Sequence, residues 1–228
     1  MKITKLALFF YIVFAVASTI ANFMDWNGLK LFAKPLVIPA LSFYYLANVK
    51  RVDLLPGLFL FVCFIGDAVA LMDFEGEILY LMGAFFCANI IICVMAWKDL
   101  EPWKSDWSNV FSIFVVLSFL FYLWKAVVSF FDTTTSNMQL YVGVFGLTLV
   151  IMNAITAYNC IWRMQMSNLF LLLTAVSILI SQVFYVIYNF EFRLIVLDTI
   201  HFICQNLSYL FLVLYVLNTS AKKEITEA

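Results

Sequence analysis

Long apolar runs separated by short polar breaks set the pattern of this chain. Eight such runs occur, each close to the ~20 residues that an α-helix needs to cross about 30 Å of hydrocarbon. They cover Leu6 to Met24, Leu31 to Ala47, Leu54 to Met72, Ile78 to Trp97, Val110 to Phe131, Leu140 to Trp162, Leu169 to Tyr188 and Leu194 to Leu217. The pattern predicts an all-α fold, a polytopic membrane bundle of about eight transmembrane helices that takes in residues 1–228 as a single integral membrane domain. The first run follows Lys2 and Lys5 and exceeds the ~7–15 residues of a secretory signal core, so it is read as a span.

Composition agrees: 65% of the residues are hydrophobic and only 12% charged, against roughly half apolar in a soluble domain. No connection is long enough to form a soluble domain, so any chemistry belongs within the bundle or at its surface. Lys2, Lys5, Lys50, Arg51, Lys98, Lys104, Arg163, Lys222 and Lys223 fall at one side of an eight-span arrangement, and only Lys30 and Arg193 at the other. Basic residues collect on the cytoplasmic side, which predicts that both termini are cytoplasmic. A cysteine placed at Thr134 is then expected to label from outside the membrane; labelling only from the cytoplasmic side would reverse the orientation.

The formal charge of -1 and the lack of a basic cluster give no footing for nucleic acid. Cys63, Cys87, Cys93, Cys160 and Cys204 all fall inside spans with no CxxC or Cys/His spacing, so they read as packing residues, and neither a metal nor another cofactor is expected. Trp97, Trp103 and Trp107 border the longest connection, Lys98 to Asn109, and read as interfacial anchors.

An ionisable side chain at bilayer depth costs about 3 kcal/mol on insertion scales, so Lys34, Asp67, Lys125, Asp198 and the single histidine, His201, mark candidate functional positions. Sequence distance converts to depth at about 1.5 Å per residue. With Lys30, Asp73, Asp132, Glu191 and Arg193 as markers of the outer surface, Lys34, Asp67, Lys125, Gln182, Asp198 and His201 lie roughly 6–14 Å inside it. Polar groups from five helices sharing one layer point to an extracytoplasmic cavity, lined together by Lys34, Asp67, Gln182 and His201.

The residues differ in what else they can do. Lys125 has a stem long enough to snorkel to the headgroups. Lys34 precedes Pro35, with Pro39 a turn later, which predicts a distorted second span whose carbonyls lack donors. Asp67 follows Gly66, which allows close helix approach, and a short carboxylate has no stem with which to escape; Lys34 or a hydroxyl is its expected closest partner. Asp198, His201 and Gln205 form an i, i+3, i+7 stripe able to line a pocket. An isolated histidine makes no multi-His metal site, and His201 is open to either an interhelical hydrogen bond or a catalytic or ligand role.

The arrangement resembles the YhhN or lysoplasmalogenase family, eight-span membrane proteins that include enzymes cleaving the vinyl-ether bond of lysoplasmalogens. The likeness is carried by Lys34-Pro35-Leu36, Gly66-Asp67 with Leu71-Met72, and Gly83-Ala84-x-Phe86. It continues through Tyr141, Met152, Ala157, Ser181, Phe190 and His201-Phe202-x-x-Gln205. Active members usually carry His where this chain has Asn89, and Ser-Asp where it has Ser181-Gln182. The resemblance implies an acid and base pair of aspartates across the bond being broken, of which Asp67 alone remains in place. Gln182 does not titrate, so Asp198 or His201 would have to supply the missing group.

Three functions follow. One is a hydrolase of ether-linked lysophospholipids, with Asp67, Asp198 and His201 as catalytic candidates and Lys34, Asn89, Ser181, Gln182 and Gln205 shaping the substrate site. The second is a non-catalytic relative that binds membrane lipid or lysophospholipid. The third is a small transporter, although no internal repeat of the Lys-Pro or Gly-Asp motif is visible.

Overall fold

The computed structural model describes residues 2–50, 52–72, 74–100, 106–131 and 136–227, and only the backbone at 2–3, 136–137 and 222–227. Arg51, Asp73, Trp103, Lys104, Asp132 and Thr134, used above for orientation, anchoring and depth, lie outside the described residues. Among those residues the chain forms eight helices and no strand. They are α1 (Lys2–Phe23), α2 (Asn27–Asn48), α3 (Leu54–Val69), α4 (Glu77–Lys98), α5 (Trp107–Ser129), α6 (Ser136–Trp162), α7 (Met166–Phe190) and α8 (Ile195–Glu227). Seven are long and apolar enough to cross a membrane, as expected of an integral membrane protein.

The exception is α3, whose 16 residues reach only about 24 Å. The run read as Leu54 to Met72 leaves the α-helical pattern at Val69. Beyond it, the Leu71 amide donates to the Ala68 carbonyl at 3.2 Å and the Met72 amide to Val69 at 3.0 Å. These i to i−3 bonds give a tighter turn that rises about 2 Å per residue and recovers length that the α-helix lacks. The second span also differs from expectation, because α2 continues unbroken through Pro35 and Pro39. Proline still has no N–H, so the carbonyls of Leu31 and Pro35 lose their in-helix donors on the segment that carries Lys34.

The most extensive contacts join α7 to α8 and α1 to α2; α8 also packs on α1, α2 and α3, while α6 carries α4, α5 and α7. The helices thus close into a ring in the order α1, α2, α3, α4, α6, α7, α8, with α5 outside it. The Tyr11 hydroxyl of α1 closes the ring by donating to the Asn206 carbonyl of α8 at 2.6 Å. Leu41, Phe59, Ile92, Met152, Leu171 and Leu212 are enclosed in the centre, whereas Phe32, Phe43, Phe111 and Tyr122 face outward. An apolar exterior suits a bundle whose solvent is hydrocarbon. Trp97 and Trp107 are strongly exposed, and all five cysteines are free thiols.

Helix α5 buries only Leu120 fully and depends on a notch in α6. The Trp124 indole N–H donates to the Gly143 carbonyl at 2.9 Å, and its ring lies over Gly146, where an added Cβ would stand 2.7 Å from Trp124 Cδ1. Small residues at such a crossing let the ring reach the backbone. Gly146→Ala is therefore expected to push Trp124 from its seat and to destabilise the protein by about 1–3 kcal/mol, the usual penalty of overpacking. Thermal unfolding in detergent with tryptophan fluorescence measures both effects; an unchanged melting temperature and spectrum would remove the notch as the anchor of α5.

Candidate functional site

Below, the upper end of the bundle is the one carrying the α1–α2 and α7–α8 connections. Asp67 occupies the last turn of α3 near that end. Gly66 beside it leaves α3 close to α4, with an added Cβ in contact with Ala84 and Phe85 at 3.4 Å. The carboxylate, only 3% exposed, points toward α8. The Gln205 side-chain amide donates to Asp67 Oδ1 at 2.8 Å and to the Tyr209 hydroxyl oxygen at 2.8 Å, and that hydroxyl donates to Asp67 Oδ2 at 3.1 Å. Lys34 Nζ stands 3.7 Å from Asp67 Oδ1. Gln205 is thus the closest partner, where Lys34 or a hydroxyl was expected, because Gln205 meets α3 directly across the α3–α8 contact while Lys34 extends from α2. Both carboxylate oxygens accept, and the closed ring of three side chains holds Asp67 in one geometry.

A chain of charge leads upward from this ring. Lys34 Nζ lies 4.3 Å from the centre of the Phe202 ring and Lys30 Nζ 5.1 Å from it, two cation–π contacts on one aromatic face set. Lys30 also interacts electrostatically with Asp198 and Asp25. Asp198 accepts from the Asn22 amide of α1 at 2.7 Å. Along α8, Asp198 precedes Gln205 by two turns, about 10 Å of rise. The two carboxylates therefore have different partners and do not meet.

Ser181 and His201 clasp α7 to α8. His201 Nδ1 is 3.0 Å from the Ser181 carbonyl, an atom that only accepts, which assigns a hydrogen to Nδ1 and, in the neutral ring, the lone pair to Nε2. The Ser181 hydroxyl, 2.8 Å from Nδ1, accepts from the same N–H and donates to the His201 carbonyl at 3.2 Å. Proton flow in this arrangement runs away from serine activation: a nucleophilic serine needs an imidazole that receives its proton. The Tyr185 ring lies 5.0 Å from the imidazole.

Gln182 turns elsewhere, correcting the expectation of a single cavity shared with Asp67. It lines an apolar pocket between α5, α6 and α7 with Trp124, Phe145, Leu149 and Leu179, a pocket to which Lys34, Asp67 and His201 do not contribute. Successive helical residues point about 100° apart, so Ser181 facing α8 turns Gln182 toward α5 and α6. Asn89 is fully enclosed on α4. Lys125 is exposed on α5, away from the Asp67 ring.

Tyr209 and Asn22 join the polar assembly without having been singled out in the sequence, while Lys30, read there only as a surface marker, and Phe202, read only as part of the family motif, meet it through the cation–π contacts. Tyr209 had a signal, since it extends the Asp198, His201, Gln205 stripe by one more turn. Asn22 resembled loop polarity at the end of an apolar run. Among the described residues no group of three or more His, Cys, Asp or Glu side chains is placed to hold a metal ion. Over residues 29–220 the sequence matches the model of the YhhN family, a stretch that contains every residue of the Asp67 ring. No curated protein and no solved structure matches the chain.

Proposed function

Because the chain belongs to the YhhN family, we propose that it is a membrane hydrolase acting on the vinyl-ether bond of lysophospholipids, with Asp67 as its proton-transferring group. The observation that carries this reading is the enclosed Asp67 ring, in which Lys34, Gln205 and Tyr209 converge on one carboxylate inside the bundle. Vinyl-ether hydrolysis adds a proton to the carbon remote from oxygen and water to the carbon that bears it; the hemiacetal then separates into an aldehyde and an alcohol. Asp67 with the Tyr209 hydroxyl forms a hydrogen-bonded couple along which a proton can shift, while Lys34 balances the carboxylate charge. Asp198, on its Asn22 partner, and His201 are further groups able to take part in moving a proton. In this reading both termini are cytoplasmic and the substrate enters from the outer leaflet.

A second reading, a lipid-binding relative without turnover, is favoured by one specific feature: position 182 is an amide directed into an apolar pocket, and among the described residues no second carboxylate is hydrogen-bonded into the Asp67 ring. Aldehyde release from purified protein supplied with lysoplasmalogen separates the two. Release by the native protein supports the hydrolase. Release gained only in Gln182→Asp favours the binding relative, and the absence of both turnover and lipid binding moves the assignment to transport.

A further inference from the structure

A second polar layer lies deeper than Asp67. Its level follows from three contacts. The Asn159 amide on α6 donates to the Ala96 carbonyl on α4 at 2.7 Å, and counting back equally along these parallel helices sets Asn89 at the level of Met152 and Asn153. The Asn168 amide on α7 donates to the Asn159 carbonyl at 3.2 Å, which brings Thr174 opposite Asn153. The Ser181–His201 clasp likewise brings Thr174 opposite Ser208 on α8. Asn89, Asn153, Thr174 and Ser208 are all at most 2% exposed.

The hydrogen bonds in this layer do not close. Ser208 donates to the Gln205 carbonyl, Thr174 to Phe170, and the Asn153 amide nitrogen to Leu149. Among the described residues, Asn89 Nδ2, Asn89 Oδ1 and Asn153 Oδ1 have no partner. In a bilayer, bulk solvent cannot relieve such atoms, and each buried polar group without a partner costs on the order of 1–3 kcal/mol. Two acceptors and one donor are what a single water molecule satisfies, with the roughly three bonds typical of buried water. Toward the lower end, Asn159 Oδ1 is a third unpartnered acceptor, separated from Asn153 by about 9 Å of helix, with the Thr156 hydroxyl between them.

We propose that Asn89 and Asn153 bind a water molecule at the centre of the bundle, and that this water exchanges with the lower surface along α6 past Thr156 and Asn159. The site does not depend on the hydrolase reading; if that reading holds, the path brings water to within about 8 Å, in helix rise, of the Asp67 level.

X-ray radiolytic footprinting of the full chain in detergent tests it, because hydroxyl radicals formed at a bound water oxidise the side chains beside it. Met152, fully enclosed by protein, is the reporter; exposed Met164 is the control for dose. The expected result is Met152 oxidation in the native protein, reduced several-fold in both Asn89→Leu and Asn153→Leu while Met164 is unchanged. After rapid mixing with oxygen-18 water, the Met152 product should acquire the heavy isotope, and Asn159→Leu should slow that acquisition. Thermal unfolding of each variant establishes that it is folded before it is compared. An unlabelled Met152 in the native protein, or equal labelling in the folded leucine variants, overturns the water site. An acquisition rate unaffected by Asn159→Leu overturns the route.

Discussion

Asp67→Asn should remove aldehyde release, lowering turnover by about 10²–10⁴-fold, the range attributed to a positioned acid or base. The amide preserves shape and can still accept from Gln205, whose nitrogen is 2.8 Å from Asp67 Oδ1 in the native protein. It cannot exchange a proton near neutrality, and it turns an N–H toward the Tyr209 hydroxyl that formerly donated to the carboxylate. The measurement is product aldehyde from purified protein and lysoplasmalogen, normalised to the folded fraction. Turnover equal to native would remove Asp67 from the chemistry whatever its place in the fold. If release additionally disappears in Asp198→Asn, the second carboxyl group acts from its own site about 10 Å along α8.

Lys34→Met carries the largest expected effect on stability. The ammonium and the carboxylate are both almost wholly enclosed, and removing one member of a buried pair leaves an uncompensated charge, typically at a cost of 3–5 kcal/mol. Gln205 and Tyr209 moderate that loss, since they keep donating to Asp67. Adding Asp67→Leu to Lys34→Met removes the stranded charge and should recover a large part of the stability, giving a coupling energy of about 1–3 kcal/mol in a double-mutant cycle. Chemical or thermal unfolding in detergent reads all four corners of the cycle. Additive effects would mean that the 3.7 Å approach of Lys34 to Asp67 contributes nothing specific.

Much of this could be read from the chain because hydrocarbon imposes a strict length and a strict penalty. The eight apolar runs match eight helices, and Lys34 and Asp67 declared themselves by being charged where charge is expensive. Depth, however, is one coordinate, and a helix also has an azimuth. Ser181 and Gln182 lie at nearly the same depth, yet one meets His201 and the other an apolar pocket on the far side of α7. Tyr209 escaped notice because a tyrosine in an apolar run looks like any other aromatic filling a core, and only its hydroxyl's partner on another helix distinguishes it. The end of α3 is not legible for a different reason: Ala70 to Met72 are apolar and invite continuation, while the backbone changes its hydrogen-bond period at Leu71 and Met72, one step after the Ala70 amide donates to the Gly66 carbonyl. Nor does hydropathy distinguish α5, which is as apolar as its neighbours, from a member of the ring; the difference lies in which helices it touches.

The closure of the ring through α8 has a consequence for biosynthesis. Tyr11 and Asn22 of the first helix find their partners on the last, at Asn206 and Asp198, and Asp67 of the third waits for Gln205 and Tyr209 on that same helix. During synthesis these groups enter the membrane long before the segment that satisfies them. Until α8 is threaded in, the nascent bundle carries them without their final hydrogen bonds, an intermediate for insertion machinery and quality control to shelter, and a chain terminated before residue 195 would remain in that state.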